Sequence, residues 1–215
     1  MSFYGLILGI CFVIGITYFY RHNQSIPKKQ EDFFIFSTLI SGLIGARVYG
    51  VIADWPYFSQ NHIQILNFRG GGLGIFGGLI GAITFILIFC FKNKINILSV
   101  FNTLSPIIPL CQSLGRWGNY FNHEIYGATG QPVWLYESIF MFLIFLFLQK
   151  VKTHQTGFYL ISYGIIRFFL EFIRTDTINI FILSLAQILS LLFIIFGGII
   201  IHYENSHYQP RINQH

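Results

Sequence analysis

Residues 115–127 read GRWGNYFNHEIYG, with Arg116, Asn119, Asn122, His123 and Glu124 crowded between flanks of Phe, Ile and Leu. The chain of 215 residues is 54% hydrophobic, 19% aromatic and only 10% charged. Soluble domains carry about 25% charged residues, so this composition does not suit a water-soluble fold. The polar stretch reads instead as a loop between two bilayer-crossing helices, and the apolar runs as the crossings themselves. The fold expected is therefore an all-α, polytopic membrane protein.

A helix needs about 20 residues to cross the hydrocarbon core of a bilayer. Working outward from the loop, seven segments qualify: 3–20, 33–53, 72–91, 97–115, 133–149, 157–173 and 180–202. Pro106 and Pro109 predict a kink in the fourth, tolerable where neighbouring groups re-satisfy the backbone. Lys28, Lys29, Lys92, Lys94, Lys150 and Lys152 all follow the first, third or fifth segment. The loops after the second, fourth and sixth hold only Arg69, Arg116 and Arg174. By the positive-inside rule the lysine side is cytoplasmic, which puts the N-terminus outside and the C-terminus inside. Residues 115–127 then lie at the outer membrane surface.

One membrane domain over 1–202 is expected, followed by a short cytoplasmic polar tail, 203–215. The apolar start lacks a basic region or small-residue cleavage site and reads as a retained first helix. The net charge of +5 takes its meaning from topology and is no signal for nucleic acid. Cys11, Cys90 and Cys111 fall in separate apolar runs without CxxC spacing, so neither a disulfide nor a metal site is expected.

Arg47, Glu137, Arg167 and Glu171 lie inside predicted helices. One such charge costs about 2.5–3.5 kcal/mol at the helix centre, so four cost on the order of 10 kcal/mol before pairing. Tyr163, Arg167, Glu171 and Arg174 recur at spacings that stack them on one helical face. An Arg–Glu pair that fixes helix packing is one reading. A polar stripe lining an internal cavity is the favoured one, because two arginines exceed what Glu171 neutralises. Surplus guanidinium charge in a dry site suits a phosphate or carboxylate.

Residues 69–81, RGGGLGIFGGLIG, lack the strand and Lys-Ser/Thr of a nucleotide loop. Gly74/Gly78 and Gly77/Gly81 are GxxxG pairs, for which close helix packing is the first reading and a glycine wall facing lipid the second.

GRWGNYFNHEIYG resembles the signature of the prolipoprotein diacylglyceryl transferases, Gly-Arg-x-Gly-Asn-x-x-Asn-x-Glu-x-x-Gly, at every fixed position. The likeness extends over most of the chain. It takes in Tyr4-Gly5, Gly45-Ala46-Arg47, Gly77 to Gly81 and Leu135-Tyr136-Glu137, then Tyr163-Gly164 with Arg167, Glu171 and Arg174, and Gln187 to Ser190. The resemblance implies a seven-helix, N-out enzyme of the bacterial cytoplasmic membrane that works toward the outer face. Such enzymes move the diacylglyceryl group of phosphatidylglycerol onto the lipobox cysteine thiol of a prolipoprotein. A thioether forms and glycerol phosphate leaves.

The resemblance also implies residue roles. Arg116 and Arg167 would neutralise the phosphate, and Glu171 would orient Arg167 and Arg174. Asn119, Asn122 and Glu124 would shape the headgroup site, with Gly127 allowing the turn and Tyr4 joining the substrate-binding set. Tyr163 would place a hydroxyl near the chemistry. Neither cofactor nor metal is implied. The partners are phosphatidylglycerol, prolipoproteins and the bilayer, with no nucleic acid, and the chain is expected to be a monomer. Where the family often has a histidine before Gly-Gly, this chain has Phe76. His123, or a water held by Arg116 and Tyr163, is then the candidate acceptor for the thiol proton. A small-anion transporter and a non-catalytic lipid-binding paralogue are the alternatives.

Overall fold

The computed structural model describes residues 3–127, 129–174, 179–180 and 183–207. Its helices are α1 (Phe3–His22), α2 (Lys28–Ala53), α3 (Trp55–Phe58), α4 (Ile75–Asn93), α5 (Ile97–Leu104), α6 (Ile107–Phe121), α7 (Val133–Lys150), α8 (Gln155–Leu170) and α9 (Leu185–His207). Two 3-10 turns, His62–Leu66 and Phe68–Gly70, separate α3 from α4. A two-residue strand β1 (Asn179–Ile180) pairs antiparallel with β2 (Leu183–Ser184) just before α9.

Among the described residues, six stretches are long and apolar enough to cross a bilayer: Gly5–His22, Lys28–Ala53, Ile75–Asn93, Ile97–Phe121, Val133–Lys150 and Leu185–His207. The chain is thus a multi-pass, all-α membrane protein. Large apolar side chains such as Ile52 and Phe91 point outward, at 69% and 84% exposure, where lipid rather than water would meet them. The segment expected as a crossing at 157–173 is shorter. Helix α8 has 16 residues, about 24 Å at 1.5 Å per residue. Helix α9 continues to His207, and residues 208–215 of the expected tail lie outside the described residues.

The expected kink at Pro106 and Pro109 is a break between α5 and α6. Pro106 removes a backbone donor, and Pro109 falls in the first turn of α6, where no helical partner is required. At the break the Ser105 hydroxyl lies 2.8 Å from Phe101 O on α5 and 3.1 Å from Thr156 Oγ1 on α8.

The helices gather in two units. In residues 23–100, α2 lies along α4 through glycines. A Cβ at Gly77 would collide with the Gly45 carbonyl, and one at Gly81 with the Ser41 carbonyl. The Phe34 and Phe89 rings also meet between these helices, tilted at 57° with centroids 5.1 Å apart. Helix packing is therefore the use that Gly77/Gly81 find, as the first reading had it.

In the second unit (residues 1–22 and 101–215), α6 packs on α1 and α7, and α8 on α7 and α9. Met141, Ile144, Leu148 and Tyr159 form the core between α7 and α8. Helices α8 and α9 cross at small residues, with a Gly157 Cβ position 2.8 Å from Gly197 O and a Gly164 one 2.6 Å from Ser190 O. That crossing holds the far end of α8 against the start of α9, where the charged residues gather.

Candidate functional site

Residues 115–121, expected as part of an outer loop, are instead the last turns of α6. Glycine lowers the helix propensity at Gly115 and Gly118, and packing on α7 overrides it. Ser138 Oγ donates to Ser113 O at 3.0 Å, and Trp117 and Tyr120 lie 5.4 and 4.9 Å from Trp134. Arg116 is thereby carried on a rigid element. Gln112 and Arg116 stand one turn apart on α6, as do Glu137 and Met141 on α7 and Tyr163 and Arg167 on α8.

These three helices meet at Glu137, which is 3% exposed. Arg116 Nε lies 2.6 Å from its Oε2, a close ion pair whose N–H is not aligned on the oxygen. Arg167 Nη1 and Arg174 Nη1 both donate to its Oε1, at 3.1 and 3.3 Å. Arg167 Nη2 also lies 2.9 Å from Glu171 Oε2. Among the described residues, three guanidinium groups thus meet two buried carboxylates, an excess of one positive charge there. Glu124 reaches Arg116 only through Asn119. Arg116 Nη1 donates to Asn119 Oδ1 at 3.4 Å, and Asn119 Nδ2 to Glu124 Oε2 at 3.0 Å. Glu124 is exposed, so water screens its charge.

Gln112, Arg116, Glu137, Tyr163 and Arg167 form the polar wall of a small, partly open recess. Met141, Ile166 and Leu170 form its apolar wall. An anionic group with an apolar tail is the ligand such a surface suits.

The expected face of α8 is only partly helical. The helix stops at Leu170, and Arg174 reaches Glu137 from the turn beyond it, held there by an isolated β-bridge to Gly127. Gly127 does not supply a left-handed turn; positive φ falls at His123 (57°), Ile125 (63°) and Gly130 (81°). What it supplies is clearance, since a Cβ there would meet the Gln131 side chain and lie 2.9 Å from Ile173 O. Asn122 joins the rim by donating to Glu124 Oε1 at 3.4 Å. His123 is exposed and does not line the recess. Tyr4 falls in the first turn of α1, and its side chain lies outside what is described.

Sequence reasoning brought together Arg116, Tyr163, Arg167, Glu171 and Arg174, but did not place Glu137 among the site residues. The signal was available, since Glu137 is the sole acidic residue in the apolar run 133–149. Gln112 and the Ser184 hydroxyl behind Glu171 were also missed. Arg47, one of the four intramembrane charges, has no carboxylate partner among the described residues. Its guanidinium donates to the backbone carbonyls of Gln64, Ile65, Asn67, Gly71 and Gly72. Phe76, standing where the family often has histidine, is exposed on α4 with its ring 6.3 Å from Tyr49.

The family model for prolipoprotein diacylglyceryl transferase matches residues 1–203. The chain belongs to the prolipoprotein diacylglyceryl transferase family. Curated relatives named phosphatidylglycerol–prolipoprotein diacylglyceryl transferase agree. The Clostridioides difficile protein is 36% identical, with 94% of this chain and 90% of that protein aligned. The Finegoldia magna protein is 35% identical over 89% and 88%, and the Staphylococcus haemolyticus protein 33% identical over 99% and 87%. Within this family member, two of the segments that carried the resemblance, 115–127 and 163–174, supply the arginines that converge on Glu137.

Proposed function

We propose that the chain transfers the diacylglyceryl group of phosphatidylglycerol to the lipobox cysteine thiol of a prolipoprotein. One observation carries the reading: three guanidinium groups share two buried carboxylates beside a half-apolar recess. The substrate thiolate attacks the terminal glyceryl carbon, a C–S bond forms, the C–O bond to phosphate breaks, and its electron pair leaves with glycerol phosphate. Charge grows on that phosphate as the bond breaks, and fixed donors nearby lower the barrier. Arg116 and Arg167 line the recess and are assigned to this task, with Arg174 and Glu171 holding the cluster in register. Asn119, Asn122, Glu124 and Gly127 build the rim that receives the headgroup, and Tyr4 is assigned to substrate binding by resemblance. The thiol must lose its proton before it attacks. Arg116 and Tyr163 line the recess whereas His123 does not, which favours a water held by those two side chains over His123 as acceptor.

The lysine distribution supports seven crossings, with α8 as the short one, an outer N-terminus and a cytoplasmic tail. The reaction is then at the outer face of the bacterial cytoplasmic membrane, in one transferase domain acting as a monomer. The test is incubation of purified protein with phosphatidylglycerol vesicles and a lipobox peptide, read by mass spectrometry. A diacylglyceryl adduct on cysteine is expected from wild type and not from Arg167→Ala. Anion currents without an adduct would favour a transporter, and lipid binding without turnover a scaffold.

A further inference from the structure

The two oxygens of Glu171 are held from different sides. Oε2 lies 2.9 Å from Arg167 Nη2, while Oε1 accepts the Ser184 hydroxyl at 2.9 Å. Ser184 also caps α9. Its Oγ accepts the Gln187 backbone N–H at 3.1 Å, and Gln187 Oε1 accepts the Ser184 backbone N–H at 2.9 Å. This is the reciprocal Ser-x-x-Gln capping box. Glu171, Ser184 and Gln187 are all buried, so water does not compete for these bonds.

A serine hydroxyl has one proton and two acceptor lone pairs. Because the α9 amide occupies an acceptor site, the proton is left to point at Glu171. The cap therefore fixes the direction of that donor. The positive end of the 23-residue α9 lies behind the same hydroxyl and favours negative charge on Glu171. Glu171 is thus divided between Arg167 and the helix, and Arg167 keeps a share of its charge for Glu137 and the recess.

We propose that Ser184 is a positioning residue for the transfer, acting through Glu171 on Arg167. This rests on the assignment of Arg167 to the departing phosphate. Without the hydroxyl, Glu171 turns both oxygens onto Arg167, the fork geometry that carboxylate and guanidinium prefer. Arg167 is then drawn away from Glu137. Its contribution grows as the C–O bond breaks, so the loss falls on kcat rather than KM.

The experiment compares variants in phosphatidylglycerol vesicles with a lipobox peptide, reading adduct formation and thermal unfolding together. Ser184→Ala is expected to lower kcat about tenfold with the lipid KM within about twofold. Ser184→Thr, which keeps a capping hydroxyl, should stay within about threefold of wild type. Adding Ser184→Ala to Glu171→Gln should cost nothing further, since the path is already cut. Gln187→Ala, which loosens the cap but leaves the hydroxyl on Glu171, should lower thermal stability with kcat held within about twofold. Equal losses of kcat in Ser184→Ala and Gln187→Ala, or additivity with Glu171→Gln, would mean a structural cap only and overturn the proposal. Wild-type kcat in Ser184→Ala would also overturn it. Should Ser184→Ala not fold, Ser184→Gly removes the hydroxyl at a position where glycine is tolerated. A wild type that forms no adduct overturns the transferase reading itself and takes this proposal with it.

Discussion

Arg47 and Arg167 each carry a guanidinium into an apolar helix, and their partners differ in kind. Arg47 is 5% exposed, with five backbone carbonyls accepting its N–H groups and the Phe58 and Phe68 rings 4.9 and 5.8 Å from its centre. Those dipoles belong to one continuous turn, residues 64–72, so Arg47 works as a peg that gives the turn its shape. A Cβ at Gly72 would stand 3.2 Å from Arg47 Nη1, and Gly72 has a φ of 69°. A side chain there would both crowd the guanidinium and strain the backbone. Arg167 is held by Glu171 and by Glu137, and it shares Glu137 with Arg116 and Arg174. A buried cation with its fork filled by carbonyls is structural. Among the described residues, three cations meet two anions beside the recess, an excess of positive charge that suits an anionic ligand.

Variants should pull these two roles apart. Arg167→Ala should lower kcat/KM by about 10²–10³-fold while the protein unfolds near the wild-type temperature, because one fixed donor to the leaving group is lost. Collapse of the fold in that variant would break the contrast with Arg47. Next in size, Glu137→Gln leaves three guanidinium groups on one carboxylate and should destabilise the protein by about 3 kcal/mol. Millimolar phosphate should recover more of the unfolding temperature in Glu137→Gln than in wild type, and an equal response would count against an anion-seeking site. Arg47→Lys replaces a planar fork with a point donor that cannot span five carbonyls, and a loss of about 2 kcal/mol is expected from the carbonyls left buried. No shift in unfolding temperature would mean that the 64–72 turn holds itself. The smallest effect is assigned to His123→Phe, whose adduct formation should match wild type over about pH 6–8, where a histidine base would titrate. A rate that falls and loses its pH dependence would restore His123 as the proton acceptor.

A third polar cluster shows what a satisfied network looks like in the same unit. His154 Nδ1 lies 2.7 Å from Glu204 Oε2, Asn102 Nδ2 donates to Glu204 Oε1 at 2.6 Å, and Asn102 Oδ1 accepts from Thr156 N and Thr156 Oγ1, both at 2.8 Å. Donors and acceptors match there, so the cluster pins α8 to α9 and α5.

Much of this was legible in the linear chain. Unbroken apolar runs of bilayer length have few folded outcomes, because backbone groups in lipid must bond within their own segment. The helices therefore follow from composition and length. The residues of the site were legible too, since charges at helical spacing in apolar segments are costly enough to stand out. Helical periodicity, however, relates only residues on one helix. It could place Arg167 beside Glu171, but not Glu137 between arginines drawn from α6, α8 and the turn after α8. The helical state of Gly115–Phe121, the clearance at Gly127 and the carbonyl cage of Arg47 likewise depend on which elements touch. Sequence by itself determined which groups are buried and at what cost. Only the tertiary structure decided which charges neutralise one another and where one is left over, because Coulomb and hydrogen-bond energies depend on distances between segments far apart along the chain.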